Sequence, residues 1–235
     1  MKTLMYLLII LTCFACNQNS QTENDTSNQT VTNTDSEKTS QTEKEESKEP
    51  EKPKEDWVLI PNQKAGPITA TSTEEDLIKI FGAKNVTTQE EEYGEGEVIV
   101  MTTLFKGTNK ELVVYWNDID NLKNPERVVV HSNSTMWKTE NNIVVGTSLQ
   151  ELEKLNGKPF KLYGFGWDYE GTISSWDGGA LAEKYGISKG FVGQLATEKA
   201  PGEGYGDILG DSEFSSDHKV IQTRDLKIVT MGIIF

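Results

Sequence analysis

Three carboxylic acids lie among aromatic residues in the last third of the chain. The acids are Asp168, Glu170 and Asp177, and the aromatics beside them are Trp167, Tyr169 and Trp176. Glycoside hydrolases use paired carboxylates of this kind, one as general acid and the other as nucleophile or base. The same pattern describes solvent-facing acids on a sheet whose other face is packed with aromatics. We favour this second interpretation, expect no catalytic residue, and keep a hydrolase that uses Asp168 and Asp177 as an alternative.

Histidine and metal chemistry have little support in the sequence. The two histidines are His131, in a predicted strand, and His218, which follows Ser-Ser-Asp. Consecutive residues cannot form a Ser-His-Asp relay, and no nucleophile-elbow glycine pattern is present. A zinc site would need more His or Cys ligands, and the oxygen-rich segments 117–121 and 206–213 lack the spacing of a calcium loop. We therefore expect no metal site and no cofactor, and calcium binding by the second segment stays an open alternative.

The run YGFGWDYEG at 163–171 is the most unusual local feature. Glycine weakens a strand unless it marks a bulge or the close approach of another segment. Trp167 could be exposed between small neighbours and form a contact surface, because aromatic side chains dominate interface energetics. Alternatively, the glycines allow sheet curvature and Trp167 belongs to the core. We predict a binding surface that consists of Tyr163, Trp167, Tyr169 and Trp176.

Residues 1–15 have the composition of an export signal. Lys2 provides a positive charge, and 4–15 are apolar apart from one threonine. A helix that spans a membrane takes roughly 20 apolar residues, so this run is too short to cross. We predict that 1–15 are a signal peptide.

Both cysteines of the chain, Cys13 and Cys16, lie at the end of this segment. The sequence Cys13-Phe14-Ala15-Cys16 resembles a bacterial lipoprotein signal, in which cleavage precedes a cysteine that follows a small residue. The resemblance implies that Cys16 carries acyl chains and anchors the protein to a membrane of the bacterial cell envelope, which we expect to be the outer membrane. An ordinary secretory signal is the alternative. A mature chain lipidated at Cys16 has no free thiol for catalysis, disulfides or metal binding.

Residues 16–56 are predicted to be the lipidated cysteine and a disordered polar tether. From 17 to 56 the only aliphatic side chain is Val31. Such a segment cannot bury enough apolar area to offset the entropy cost of ordering. The whole chain has a formal charge of -14 and shows no basic patch. We expect no nucleic-acid partner, because binding nucleic acid needs lysine and arginine to neutralise phosphates.

Two segments of the remaining chain repeat at an offset of about 75 residues. Residues 68–82 and 143–157 align without a gap, and each has a β-branched run, an apolar stripe at helical spacing and a final glycine. Capping-box spacing is present in both copies, at Thr73–Asp76 and at Ser148–Glu151. Each segment therefore predicts a strand, a short helix and a glycine stop.

Strands follow each predicted helix. In the first copy a three-stranded meander is predicted at 97–105, 110–118 and 126–137. The second copy is also β-rich and contains a loop rich in glycine and acids near 198–217. The predicted fold class is α+β, with two tandem repeats of about 75 residues, each a short helical segment followed by an antiparallel sheet. The predicted bounds are 57–140 for the first α+β repeat and 141–235 for the second.

This arrangement resembles the β-lactamase-inhibitor-protein-like fold, a group that includes the inhibitor itself and small outer-membrane assembly lipoproteins. The resemblance rests on GTSLQELEKLNGKP at 146–159 and on its weaker copy at 71–84. Segment 155–179 is also similar to uncharacterised bacterial lipoproteins. These resemblances imply a fold and a compartment, and they supply no catalytic residues.

The predicted function is non-catalytic binding by a membrane-anchored envelope lipoprotein, with another envelope protein as its partner. Exposed aromatics would recognise the partner, with acids at the rim. The first alternative is a carbohydrate-binding module that stacks the same aromatics on sugar rings, and the second is the carboxylate-dependent glycoside hydrolase. A protein binder should expose a broad aromatic face, a sugar binder should hold rings in line, and an enzyme should bring two carboxyls to one cleft.

Overall fold

The structure, a computed structural model, describes residues 56–93, 96–131, 134 and 136–235. The predicted signal peptide, the lipidation site at Cys16 and the tether as far as residue 55 lie outside the described residues. The described residues all belong to one compact unit, Pro53–Phe235.

The architecture is α+β, as predicted. The strands are β1 (Val58–Ile60), β2 (Lys64–Ala65), β3 (Ile68–Thr69), β4 (Val86–Tyr93), β5 (Glu97–Leu104), β6 (Leu112–Asp118), β7 (Lys123–His131), β8 (Lys138–Thr139), β9 (Lys161–Tyr163), β10 (Ile173–Ser175), β11 (Phe191–Ala196), β12 (Glu213–Ser215) and β13 (Lys227–Ile234). The helices are α1 (Glu74–Phe81), α2 (Leu149–Asn156), α3 (Ala182–Tyr185) and α4 (Lys219–Gln222). Short 3-10 turns occur at Ala83–Asn85, Ile187–Lys189 and Tyr205–Ile208.

The largest sheet has the strand order β11-β13-β7-β6-β5-β4, and every neighbouring pair in it is antiparallel. β5, β6 and β7 confirm the predicted meander, although β7 begins at Lys123, before the predicted start at 126, and ends at His131 rather than at 137. β4 has no counterpart among the predicted strands, because the three consecutive glutamates at 90–92 disfavour strand structure. It nevertheless pairs along its full length with β5.

The strands of the second half divide between two sheets. β11 and β13 join the six-stranded sheet, whereas β9, β10 and β12 form a three-stranded antiparallel sheet of order β10-β9-β12. A further sheet of order β3-β2-β1-β8 holds the first strands of the unit. Antiparallel strands thus follow α2 as they follow α1, but β4 to β7 lie in one sheet, whereas the strands after α2 are divided between two.

Both predicted helices begin at the predicted capping boxes. At α1 the Thr73 hydroxyl accepts a hydrogen bond from the Asp76 backbone N–H, and the Asp76 carboxylate accepts one from the Thr73 N–H. At α2 Ser148 and Glu151 make the same two bonds. Each box therefore satisfies backbone N–H groups that a helix N-terminus otherwise leaves without partners.

The two helix N-termini also dock on the large sheet through equivalent backbone bonds. The Glu74 N–H donates to Leu122 O just before β7, with an N···O distance of 2.9 Å. The Leu149 N–H donates to Leu226 O just before β13, at the same distance of 2.9 Å. Since β7 and β13 are antiparallel neighbours, two equivalent helix–strand units lie side by side in the sheet.

We expect Ser148→Ala to lower the free energy of unfolding by about 1 kcal/mol, because it removes the side-chain acceptor of the α2 capping box. Urea denaturation followed by circular dichroism measures the loss. Ser188→Ala is the control, since Ser188 is exposed and lies outside the helix caps. A Ser148→Ala variant as stable as this control would contradict the assignment of the cap.

The stabilisation from Glu151 should depend on pH. The backbone and hydroxyl of Ser148 donate to its carboxylate and lower its pKa below the ordinary value of 4.5. A carboxyl whose pKa is lower in the folded protein stabilises it above the unfolded-state pKa, and this stabilisation is lost as the pH falls through the lowered value. Wild type should therefore exceed Glu151→Gln in stability at neutral pH, and urea titrations should show the difference vanish in acid. A pH-independent difference would contradict this.

Candidate functional site

Two of the predicted surface aromatics are exposed at the end of β9. Trp167 has 62% of its surface exposed and Tyr169 has 40%. The half-buried ring of Tyr163 packs behind Tyr169, with centroids 5.5 Å apart and an interplanar angle of 41°. Tyr163 ends β9, and Trp167 and Tyr169 lie in the segment 164–171 that follows it, which we call the aromatic loop.

Trp176 does not belong to this surface, and the prediction that it does is wrong. Only 1% of the residue is exposed. Its Nε1–H donates to Tyr185 O at 2.7 Å, and its ring packs against Phe160 with centroids 5.1 Å apart. Trp176 follows the last residue of β10 directly and turns into the core, where Tyr185 supplies the acceptor that a buried indole needs.

The first end of the aromatic loop is fixed to the segment 208–212 by backbone bonds. The Gly164 N–H donates to Ser212 O, and the Phe165 N–H donates to Ile208 O, each at 2.9 Å. A Cβ on Gly164 would lie only 2.5 Å from Gly210 O. Glycine at 164 therefore permits a close approach of two backbones, the second of the roles that glycine can have in a strand.

The second end of the loop is fixed to β11. The Leu195 N–H donates to Gly171 O at 2.9 Å, and a Cβ on Gly171 would collide with Leu195 O. Between the two ends, the Glu170 N–H donates to Trp167 O at 3.0 Å, which closes a tight turn. Trp167 is the first residue of this turn, and its side chain is largely exposed.

Leu209 is a member of the surface that has no counterpart among the predicted site residues. It is 44% exposed, and its Cδ2 lies 3.4 Å from the position that a Cβ on Gly166 would occupy. It is an aliphatic side chain in a stretch of glycines and acids, and only the long-range pairing of Phe165 with Leu209 brings it to the aromatic loop. We call Tyr163, Trp167, Tyr169 and Leu209 the aromatic patch.

The buried side chain of Arg224 fixes a segment that packs against the aromatic loop. Only 7% of it is exposed, and its guanidinium donates to the carbonyls of Lys199 and Ala200. It also stacks over the Tyr205 ring, with Cζ 5.0 Å from the centroid, and the Tyr205 ring lies 6.3 Å from that of Phe165. The buried arginine thus holds the 199–205 segment against the base of the aromatic loop.

Asp168 and Asp177, the two carboxylates of the hydrolase alternative, lie in different loops. Asp168 is exposed at the tip of the aromatic loop, whereas Asp177 lies in the turn after β10. The Lys158 Nζ lies 3.0 Å from Asp177 Oδ2, and its hydrogen bond and charge lower the pKa of Asp177. A general acid needs a raised pKa, so Asp177 is unsuited to that role.

Both histidines are part of secondary-structure elements: His131 is the last residue of β7, and His218 caps α4. His131 pairs with Thr230 across β7 and β13, and burial lowers its pKa while Glu111 opposes the shift. His218 Nδ1 accepts a hydrogen bond from the Val220 N–H at 3.3 Å, at the start of α4. In the part of the chain that the structure describes, no group of three His, Cys, Asp or Glu side chains could hold a metal ion. None of the helices in these residues is long and apolar enough to cross a membrane.

Comparison with known proteins gives no relative from which a role could be transferred. No protein-family model matches the chain, no curated protein matches it, and no solved structure matches it. The resemblance to the β-lactamase-inhibitor-protein-like fold therefore stays a prediction, and function is inferred from the chain's own geometry.

Gly171→Ala should destabilise the protein more than Gly178→Ala. The two glycines have φ of 64° and 71°, so either substitution strains the backbone by about 1 kcal/mol. Only at Gly171 does the new methyl group collide with a backbone oxygen, because nothing lies within 4 Å of a Cβ at Gly178. Chemical denaturation of both variants gives the comparison. Equal losses of unfolding free energy would show that Gly171 does not pack against Leu195.

Proposed function

We propose that the protein is an envelope lipoprotein, anchored through acylated Cys16, whose domain binds another protein through the aromatic patch. The observation that carries this proposal is Trp167, which is 62% exposed on a loop bonded through its backbone at both ends. Covering such a side chain with a partner removes apolar area from water, at about 25 cal/mol per Å².

The exposed apolar side chains are clustered rather than scattered. Seven large apolar residues are exposed in the described part of the chain, and three of them, Trp167, Tyr169 and Leu209, belong to the patch. Single exposed apolar residues are normal on a protein surface, whereas several in two segments that backbone bonds hold together indicate an interaction site.

The patch is also fixed before any partner arrives. The backbone bonds of Gly164, Phe165 and Leu195 hold the loop, and the ring of Tyr163 supports that of Tyr169. A surface ordered in advance loses little conformational entropy on binding, so more of the contact energy remains as affinity.

A carbohydrate-binding module is the alternative that uses the same residues. Stacking an extended sugar chain needs flat aromatic faces in line. The rings of Tyr163 and Tyr169 instead contact each other at an interplanar angle of 41°, so one partly covers the other.

The Trp167→Ala/Tyr169→Ala double variant should lose the partner. The tagged, lipidated chain would be incubated in non-ionic detergent with solubilised envelope of its own bacterium, and bound proteins identified by mass spectrometry. We expect affinity for the captured protein to fall at least about ten-fold in the variant, because aromatic residues at the centre of an interface cost about 2 kcal/mol or more when truncated.

The matched control is Val98→Ala/Ile119→Ala, which truncates two side chains that are each 45% exposed outside the patch. This control should retain the partner, and circular dichroism should show that all variants fold. A partner that binds the patch variant and the control equally would contradict the proposal. Binding of the chain to a glycan array, abolished in the patch variant, would favour the carbohydrate alternative.

A further inference from the structure

The aromatic patch lies in two segments that contain acids but neither lysine nor arginine. Its residues fall within 162–183 and 200–218, neither of which contains lysine or arginine. Glu213 is paired with Tyr163 of the patch across β12 and β9, and two further acids flank Leu209 in sequence. The exposed carboxylates that lie within two residues of a patch residue in sequence, or opposite one across the sheet, are Asp168, Glu170, Asp207, Asp211 and Glu213.

These five carboxylates have no cationic partner within the described residues. The ion pairs formed there all involve other acids. The Glu170 carboxylate accepts a hydrogen bond from the Gly166 N–H at 2.9 Å. Lys199 and Arg224, which belong to the neighbouring segments, donate to backbone carbonyls instead. Lys161, two residues before Tyr163 on β9, is the base nearest to the patch in sequence, so the carboxylates around the patch outnumber the bases.

The aromatic rings of the patch likewise have no cation stacked on them among the described residues. Elsewhere in the protein, cations stack on aromatic rings, as Arg127 does on Tyr115 at 4.1 Å and Arg224 on Tyr205 at 5.0 Å. Among the described residues no lysine or arginine stacks on the rings of Tyr163, Trp167 or Tyr169. Aromatic faces attract cations, and tryptophan attracts them most strongly.

We propose that the aromatic patch recognises a basic segment of its protein partner, whose arginine or lysine side chains stack on Trp167 and Tyr169 and pair with the surrounding carboxylates. This inference rests on the proposed function and states the chemistry of the partner. Arginine fits both parts of the site, because a planar guanidinium stacks on a ring and also binds a carboxylate through two hydrogen bonds. An acidic partner surface would be repelled, which gives the patch its specificity.

The test uses three synthetic peptides. Each consists of four repeats of one unit, which is Gly-Arg-Ser in the first, Gly-Gln-Ser in the second and Gly-Glu-Ser in the third. Isothermal titration calorimetry with the full lipidated chain in non-ionic detergent measures their binding. We expect the arginine peptide alone to bind, with an affinity that falls as NaCl is raised, because salt screens exposed charges. Binding of the glutamine peptide with equal affinity, or no binding of the arginine peptide at low salt, would overturn the inference.

Matched variants separate the two contributions to binding. Trp167→Ala should weaken the arginine peptide at least about ten-fold, and Asp168→Asn/Asp211→Asn should weaken it about three- to ten-fold. Asp120→Asn/Glu183→Gln removes the same charge from exposed acids outside the patch and should leave affinity unchanged. Equal effects of the two charge variants would overturn the inference. An envelope partner that depends on Trp167 but binds Asp168→Asn/Asp211→Asn as it binds wild type would overturn it too, and would leave the proposed function standing.

Discussion

The pairing of β7 with β13 joins the two halves of the chain in one sheet. Its register runs from Thr230 opposite His131 to Ile234 opposite Arg127. Gly232 lies in the middle of this pairing, and a Cβ there would stand only 2.5 Å from Val128 O. The contact that joins the two halves thus depends on a position where a side chain would collide with the neighbouring backbone. Because α1 and α2 dock at the starts of these same strands, the placement of both helices depends on it as well.

The aromatic patch is connected to the pairing of β7 with β13 through one further strand, β11. β13 pairs with β11, where Ile228 stands opposite Leu195, and Leu195 in turn holds Gly171 at the end of the aromatic loop. Arg224 lies just before β13 and fixes the neighbouring segment through two backbone carbonyls. A loop on the small sheet is in this way tied to the large sheet, which accounts for an exposed tryptophan that is held in one place.

Local interactions could be predicted from the sequence, and long-range ones could not. The capping boxes at Thr73 and Ser148 depend on residues three positions apart, and the meander of β5, β6 and β7 depends on alternation and turn residues. β4 escapes prediction because pairing with β5 outweighs the low strand propensity of its glutamates. Trp167 and Trp176 have similar neighbours in sequence, so their opposite burial is decided by partners elsewhere in the chain: Tyr185 and Phe160 enclose Trp176. Leu209 joins the patch only through tertiary pairing.

The central claim is that backbone bonds hold a loop that presents Trp167 to solvent, and amide hydrogen exchange followed by NMR tests it most directly. The backbone amides of Gly164, Phe165 and Leu195 should exchange slowly, at rates like those of β13, because each donates to a backbone oxygen. The indole N–H of Trp167 should exchange at once, and that of Trp176, bonded to Tyr185 O, should exchange slowly. Rapid exchange of the three backbone amides, or a protected Trp167 indole, would contradict the claim.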